Sequence, residues 1–167
     1  MSSLWKKEFK AENIRKPVDI LEEQAELLAE MTDGRIIAKV EGYEGPIHSG
    51  KMGGTLKLSI SALTEYDYDV QDDLGEIEGS NFRYEFYITS VMTPNFKYRI
   101  MFFEHDITFY PVRITLDETI ANELDLDVYI GCDSLREFIK TLTMILNSKK
   151  IESVINALLS INDRIAY

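Results

Sequence analysis

The sequence predicts an α+β domain: a helix at the start, an antiparallel β-meander of about five strands, and a C-terminal helical pair packed on one sheet face. Three observations carry this reading. Aromatic and branched residues alternate at period two through three consecutive stretches, Phe82 to Met92, Phe96 to Phe103 and Ile107 to Leu116. Apolar residues recur at helical spacing in residues 17–31 and again in 135–159. Turn formers, among them Thr32-Asp33-Gly34 and Thr93-Pro94-Asn95, separate the stretches.

The alternation also predicts a register. The aromatic and branched residues Phe82 to Ile88, Phe96 to Phe102 and Tyr110 to Leu116 fall on even numbers, and odd-length loops keep one parity on one face. Three-residue loops at Thr93-Pro94-Asn95, with Asn95 left-handed, and at Glu104-His105-Asp106 satisfy that condition. They pair Phe86 with Phe102, Ile88 with Ile100, Ile100 with Tyr110 and Phe96 with Ile114. Helices are then expected over the even-numbered face.

Taken in order, residues 1–16 carry Lys6, Lys7, Lys10, Arg15 and Lys16 against Glu8 and Glu12, the one basic segment of an acidic chain. Trp5 and Phe9 lie four apart, which predicts a short helix that packs both rings on its own domain. Pro17 suits the first turn of a helix with Ile20, Leu21, Gln24, Leu27, Leu28 and Met31 on one face and Glu22, Glu23, Glu26 and Glu30 on the other. Strands are expected from Arg35 to Glu41 and from Thr55 to Tyr66. Past the meander, Asp117 caps a short helix to Glu123, and Leu124 to Ile130 alternates as a brief strand broken by Gly131. Ser134-Leu135-Arg136-Glu137 has the form of a capping box, and Ser148 caps the next helix.

Composition bounds the function. At 167 residues and 45% apolar content, with 9 Tyr, 8 Phe and 1 Trp, the chain suits a single globular domain over 1–167 with its own core. Cys132 is the single cysteine, the start MSSLWKKEFK lacks a signal peptide's apolar run, and no stretch approaches the ~20 apolar residues of a membrane span. A soluble, cytoplasmic protein is expected. The net charge of -11 argues against nonspecific nucleic-acid or anionic-membrane binding.

Motifs for chemistry are sparse. Gly45 to Met52 resembles a phosphate-binding P-loop, but Met52 supplies no hydroxyl for magnesium and a strand pattern follows where a helix is needed. Asp67, Asp69, Gln71 and Asp73 have calcium-loop spacing, yet Asp72 stands where the turn requires glycine. His48 and His105 fall in a loop and a hairpin turn, and Cys132 has no neighbouring histidine. No catalytic residue, cofactor site or metal site is therefore expected, and the protein reads as a non-enzyme.

The expectation is a non-enzymatic protein-binding module, an inhibitor or immunity-type protein whose acidic clusters meet a basic protein. Asp67, Asp69, Asp72, Asp73, Glu76 and Glu78 form the first cluster, and residues 117–133 a second. The alternatives use the odd-numbered, open face of the sheet. There Arg83, Tyr87, Arg99 and Arg113 interleave with Met101, Phe103 and Phe109, as a site for an anionic small molecule or nucleotide, or as a homodimer patch.

Overall fold

The computed structural model describes residues 2–6, 8–10, 14–45 and 82–165. Helix α1 (Pro17–Met31) leads into strand β1 (Ile36–Gly42). After residues 46–81 come β2 (Phe82–Ser90), β3 (Tyr98–His105) and β4 (Val112–Leu116). Helix α2 (Glu118–Leu124), strand β5 (Tyr129–Cys132), and helices α3 (Leu135–Leu146) and α4 (Lys149–Ile165) complete the chain. The sheet is antiparallel throughout, in the order β1-β2-β3-β4-β5, with the helices packed on one face. The expected α+β class and layer arrangement are those observed. The expected strand Thr55 to Tyr66 lies outside the described residues.

Helix ends follow the local chemistry. Pro17 opens α1, where its missing N–H is one the helix would leave unbonded. Asp117 caps α2, accepting from the Ile120 amide at 3.2 Å, and also accepts from the Tyr98 hydroxyl at 2.8 Å. Ser134 accepts from the Glu137 amide while Glu137 reaches back to the amide of Asp133. Ser148 accepts from the Ile151 amide, and Glu123 of α2 accepts from the amides of Lys149 and Lys150, so two side chains satisfy the first turn of α4. The expected strand Leu124 to Ile130 is shifted: Leu124 ends α2, Asp125 turns the chain in the left-handed region at φ 55°, and Gly131 lies within β5.

The register departs from the parity expectation. Phe86 pairs with Met101 and Tyr87 with Arg99, so Ile100 is the extra residue of a β-bulge. Before the bulge the even-numbered Tyr98 and Ile100 face the helices; after it the odd-numbered Met101, Phe103 and His105 do. Ile88 pairs with Tyr98 rather than Ile100, and Phe102 turns to the open face, 4.6 Å ring to ring from Tyr43. The next pairing also slips: Met101 lies opposite Leu116 and Phe103 opposite Ile114. Residues 107–111, which alternate like strand, instead form the connection, with a turn closed from the Phe109 amide to the Asp106 carbonyl. Pro111 offers no N–H to a ladder. In the first hairpin the Phe96 amide bonds the Thr93 carbonyl, an i to i+3 turn with Pro94 second, and Asn95 has ordinary negative φ.

The core lies between the sheet and the helices. Phe86, Ile88, Ile100, Met101, Phe103 and Ile114 supply its floor, and Leu21, Ile120, Phe138, Leu142, Ile145, Ile151 and Leu158 its cover. The N-terminal segment does not join it. Residues 2–6 and 8–10 form no helix, and Trp5 and Phe9 are 78% and 74% exposed.

Candidate functional site

The open face of the sheet is a layer of answered charges. Glu85, 5% exposed, accepts from Arg99 Nε at 2.9 Å and is paired with Lys97. Burial opposes its ionisation, but the hydrogen bonds and charge of Lys97 and Arg99 outweigh it and hold the carboxyl below its ordinary 4.5. Glu104 sits between Arg83 and Arg113, at 3.5 and 3.1 Å, and Arg113 also reaches Asp106 at 3.2 Å. Rings fill the gaps: the Arg99 guanidinium lies 4.6 Å from the Phe102 centroid and Lys97 lies 4.3 Å from that of Tyr87. The Tyr87 hydroxyl donates to Glu41 at 2.9 Å, and burial, with that carboxylate, pushes its pKa up to about 12.

The odd-numbered residues expected on this face are split by the bulge. Arg83, Tyr87, Arg99 and Arg113 are on it. Met101 and Phe103 are not; both are buried among the helices, because the extra residue at Ile100 reverses which parity points inward. Phe109 lies off the sheet in the β3–β4 connection at φ 72°, its ring 5.6 Å from that of His105. These seven residues therefore form no single patch. The acidic residues Asp67, Asp69, Asp72, Asp73, Glu76 and Glu78 lie outside the described residues, as do His48 and most of the P-loop-like stretch. In the second acidic run, Asp117 and Glu123 are engaged in helix capping.

His105 is also displaced from expectation. It ends β3 rather than a turn, is buried, and stacks on Phe82 at 5.3 Å between ring centroids, with Nδ1 2.7 Å from the Asp106 carbonyl. Cys132 is buried against Thr141, and burial pushes its thiol above its ordinary value. Among the described residues no group of three His, Cys, Asp or Glu side chains is placed to hold a metal, and no helix is long and apolar enough to cross a membrane.

The helix side has a different character. Between α1 on one wall and α3 with α4 on the other runs a groove of about 470 Å³, within the ~300–1,000 Å³ of clefts that take ligands. Ala38, Phe86, Ile88 and Ile100 form its floor; Ile20, Leu27, Leu28 and Met31 line one wall and Ile139, Leu142, Leu146 and Ile155 the other. The walls do not close. Leu27 is 43% and Met31 80% exposed, and Ile139 is half-exposed. Gln24, Thr143 and Asn147 are its neutral polar side chains, and Arg15, paired with Glu23, stands at one end. On α1 Glu23, which lines the groove, and Glu30 lie four positions before and three after Leu27, and both are exposed.

The α1 stripe predicts Leu27 and Met31 as core, whereas both stand in the open wall of the groove. Gln24, a polar side chain in the middle of that stripe, is the sequence signal that this face is not fully covered. No protein-family model, curated protein or solved structure matches the chain.

Proposed function

We propose that this protein is a non-enzymatic protein-binding module whose helix-side groove takes a basic segment carrying large apolar side chains. The observation that carries the proposal is the uncovered apolar wall of Leu27, Met31 and Ile139 over a formed floor. Apolar surface of this kind, rimmed by polar groups, is what an amphipathic segment covers when it lies in a groove. The exposed carboxylate of Glu30, three positions past Leu27 on α1, favours lysine or arginine beside the apolar anchors, and adds speed and salt dependence to the encounter. An inhibitor or immunity-type role is one form of this reading, in which the bound segment belongs to the protein being held.

The anion-binding alternative has less support. Arg83, Arg99 and Arg113 already face Glu104, Glu85 and Asp106, so an incoming anion must displace a carboxylate of the same chain. The homodimer alternative, drawn around Met101 and Phe103, would need residues that lie in the core.

Selection from a displayed random-peptide library on the immobilised protein tests the proposal. Selected peptides are expected to carry spaced aromatic or aliphatic residues with Lys or Arg. They should lose binding to a Leu27→Glu, Met31→Glu double variant and keep it to Arg83→Ala. Equal binding to both variants would overturn the assignment of the groove.

A further inference from the structure

Strand β5 ends the sheet, and no described residue pairs with its outer side. The Leu116 amide donates to the carbonyl of Val128, its opposite number in the β4–β5 register, at 2.8 Å. Bonded and non-bonded residues alternate along an antiparallel pair. Ile130 and Cys132 therefore also bond toward β4, while Tyr129 and Gly131 turn N–H and C=O outward. Both residues are exposed, and an uncovered edge is a template for another strand. Beside it, on the open face, lies a depression of about 390 Å³ lined by Arg83, Glu104, Arg113, Thr115 and Tyr129. Gly131 stands opposite Arg113 there, and a Cβ added to it would meet nothing within 4 Å. The two arginines already face Glu104 and Asp106, so the gap suits an uncharged ring, laid over Gly131 against the Arg113 guanidinium and Tyr129.

The exposed carboxylates of Asp127 and Asp133 flank β5 and discriminate between occupants. Pairing Tyr129 with Gly131 of a second copy would set Asp127 against Asp133 at both ends, and like charges directly opposite are destabilising. Basic residues at those positions would be attracted. We propose that β5 takes an extended segment of a basic partner protein as an added antiparallel strand, with an aromatic residue over Gly131 and Lys or Arg opposite Asp133 and Asp127. Backbone bonds to Tyr129 and Gly131 hold the segment, and the ring and the charges select it. This surface is separate from the groove, and its failure would leave the groove reading untouched.

The probe is a blocked heptapeptide, Lys-Thr-Phe-Thr-Val-Thr-Lys, which sets Phe opposite Gly131, Val opposite Tyr129 and the lysines opposite Asp133 and Asp127. By NMR, the amides of Tyr129 and Gly131 are expected to exchange with solvent far faster than those of Ile130 and Cys132 in the free chain, and to become protected as peptide is added to millimolar concentration. N-methylating the Phe and Val amides, which would face β5, should weaken binding at least about tenfold. N-methylating the Thr between them, whose amide points away, should leave binding in place. Gly131→Pro removes an outward donor from an edge strand and should abolish binding with circular dichroism unchanged; were that variant to unfold, the two N-methyl peptides still decide. Leu27→Glu with Met31→Glu should bind the probe as the native chain does. Tyr129 and Gly131 amides protected in the free chain, no binding of the probe, or equal binding of the two N-methyl peptides would overturn the proposal. Protection that appears with rising protein concentration alone would overturn it by making a second copy the occupant. Loss of binding in the groove variant would overturn it by placing the probe in the groove.

Discussion

On the open face of the sheet Arg83, Lys97, Arg99 and Arg113 each meet a carboxylate of the same chain, whereas on the helix side Leu27 and Met31 stand in solvent beside a formed apolar floor. The first region resembles an ordinary polar sheet surface, made rigid by side chains that satisfy one another. The second has surface whose burial is incomplete. Charge density alone pointed toward the first as a ligand site, but a cation is available to a ligand only when nothing nearby already neutralises it. Exposed apolar area over a packed floor is the less obvious feature in a sequence and the more informative one in a structure.

Substitutions can break this comparison, beginning with the side that each residue occupies. Phe103→Ala is expected to cost about 4 kcal/mol in chemical denaturation, since it empties a fully buried site beneath Phe138. A loss well below this would return Phe103 to the open face and restore the even-parity register.

Glu85→Gln should cost roughly 2 kcal/mol near neutral pH, as Lys97 and Arg99 lose a buried partner but remain half-exposed. Because the folded carboxyl is held below its ordinary 4.5, the stability it contributes is fully present above that value and is lost as pH falls through the lowered folded value. Denaturation midpoints followed from pH 7 to pH 3 should therefore decline less steeply in Glu85→Gln than in the native chain. Parallel curves would mean that the ion pairs of the open face do not hold it together.

Tyr98→Phe removes the hydroxyl that donates to Asp117 while leaving the cap on α2 in place, and should cost about 1 kcal/mol in thermal or chemical denaturation. Leu27→Glu with Met31→Glu should change stability least, within about 0.5 kcal/mol, because Met31 is largely in water and Leu27 stands in the open wall of the groove. A large loss there would show that the groove wall belongs to the core.

The layer arrangement was legible because it follows from periodicity: α1, α3 and α4 each carry an apolar stripe, and the strands alternate. Helix caps at Asp117, Ser134 and Ser148 were legible for the same local reason. Register was not. A one-residue bulge at Ile100 leaves no mark in a run of aromatics where Ile100, Met101, Phe102 and Phe103 are all apolar, so either parity can face inward. Residues 107–111 misled in the opposite way, by alternating where the chain turns. The groove was invisible because an apolar stripe on α1 says which residues want cover without saying how far apart the neighbouring helices stand. The pairing of the open-face arginines depended on cross-strand neighbours, and so on the register that was missed.

Methyl NMR of the chain titrated with a library-selected peptide tests the central claim most directly, because Leu27, Met31, Ile139 and Ile155 report the groove and Ile37 and Thr115 report the open face. The predicted result is a set of shifts at the groove methyls that saturates with the peptide and leaves Ile37 and Thr115 in place. Shifts at Ile37 and Thr115 with Leu27 and Met31 unmoved would contradict it.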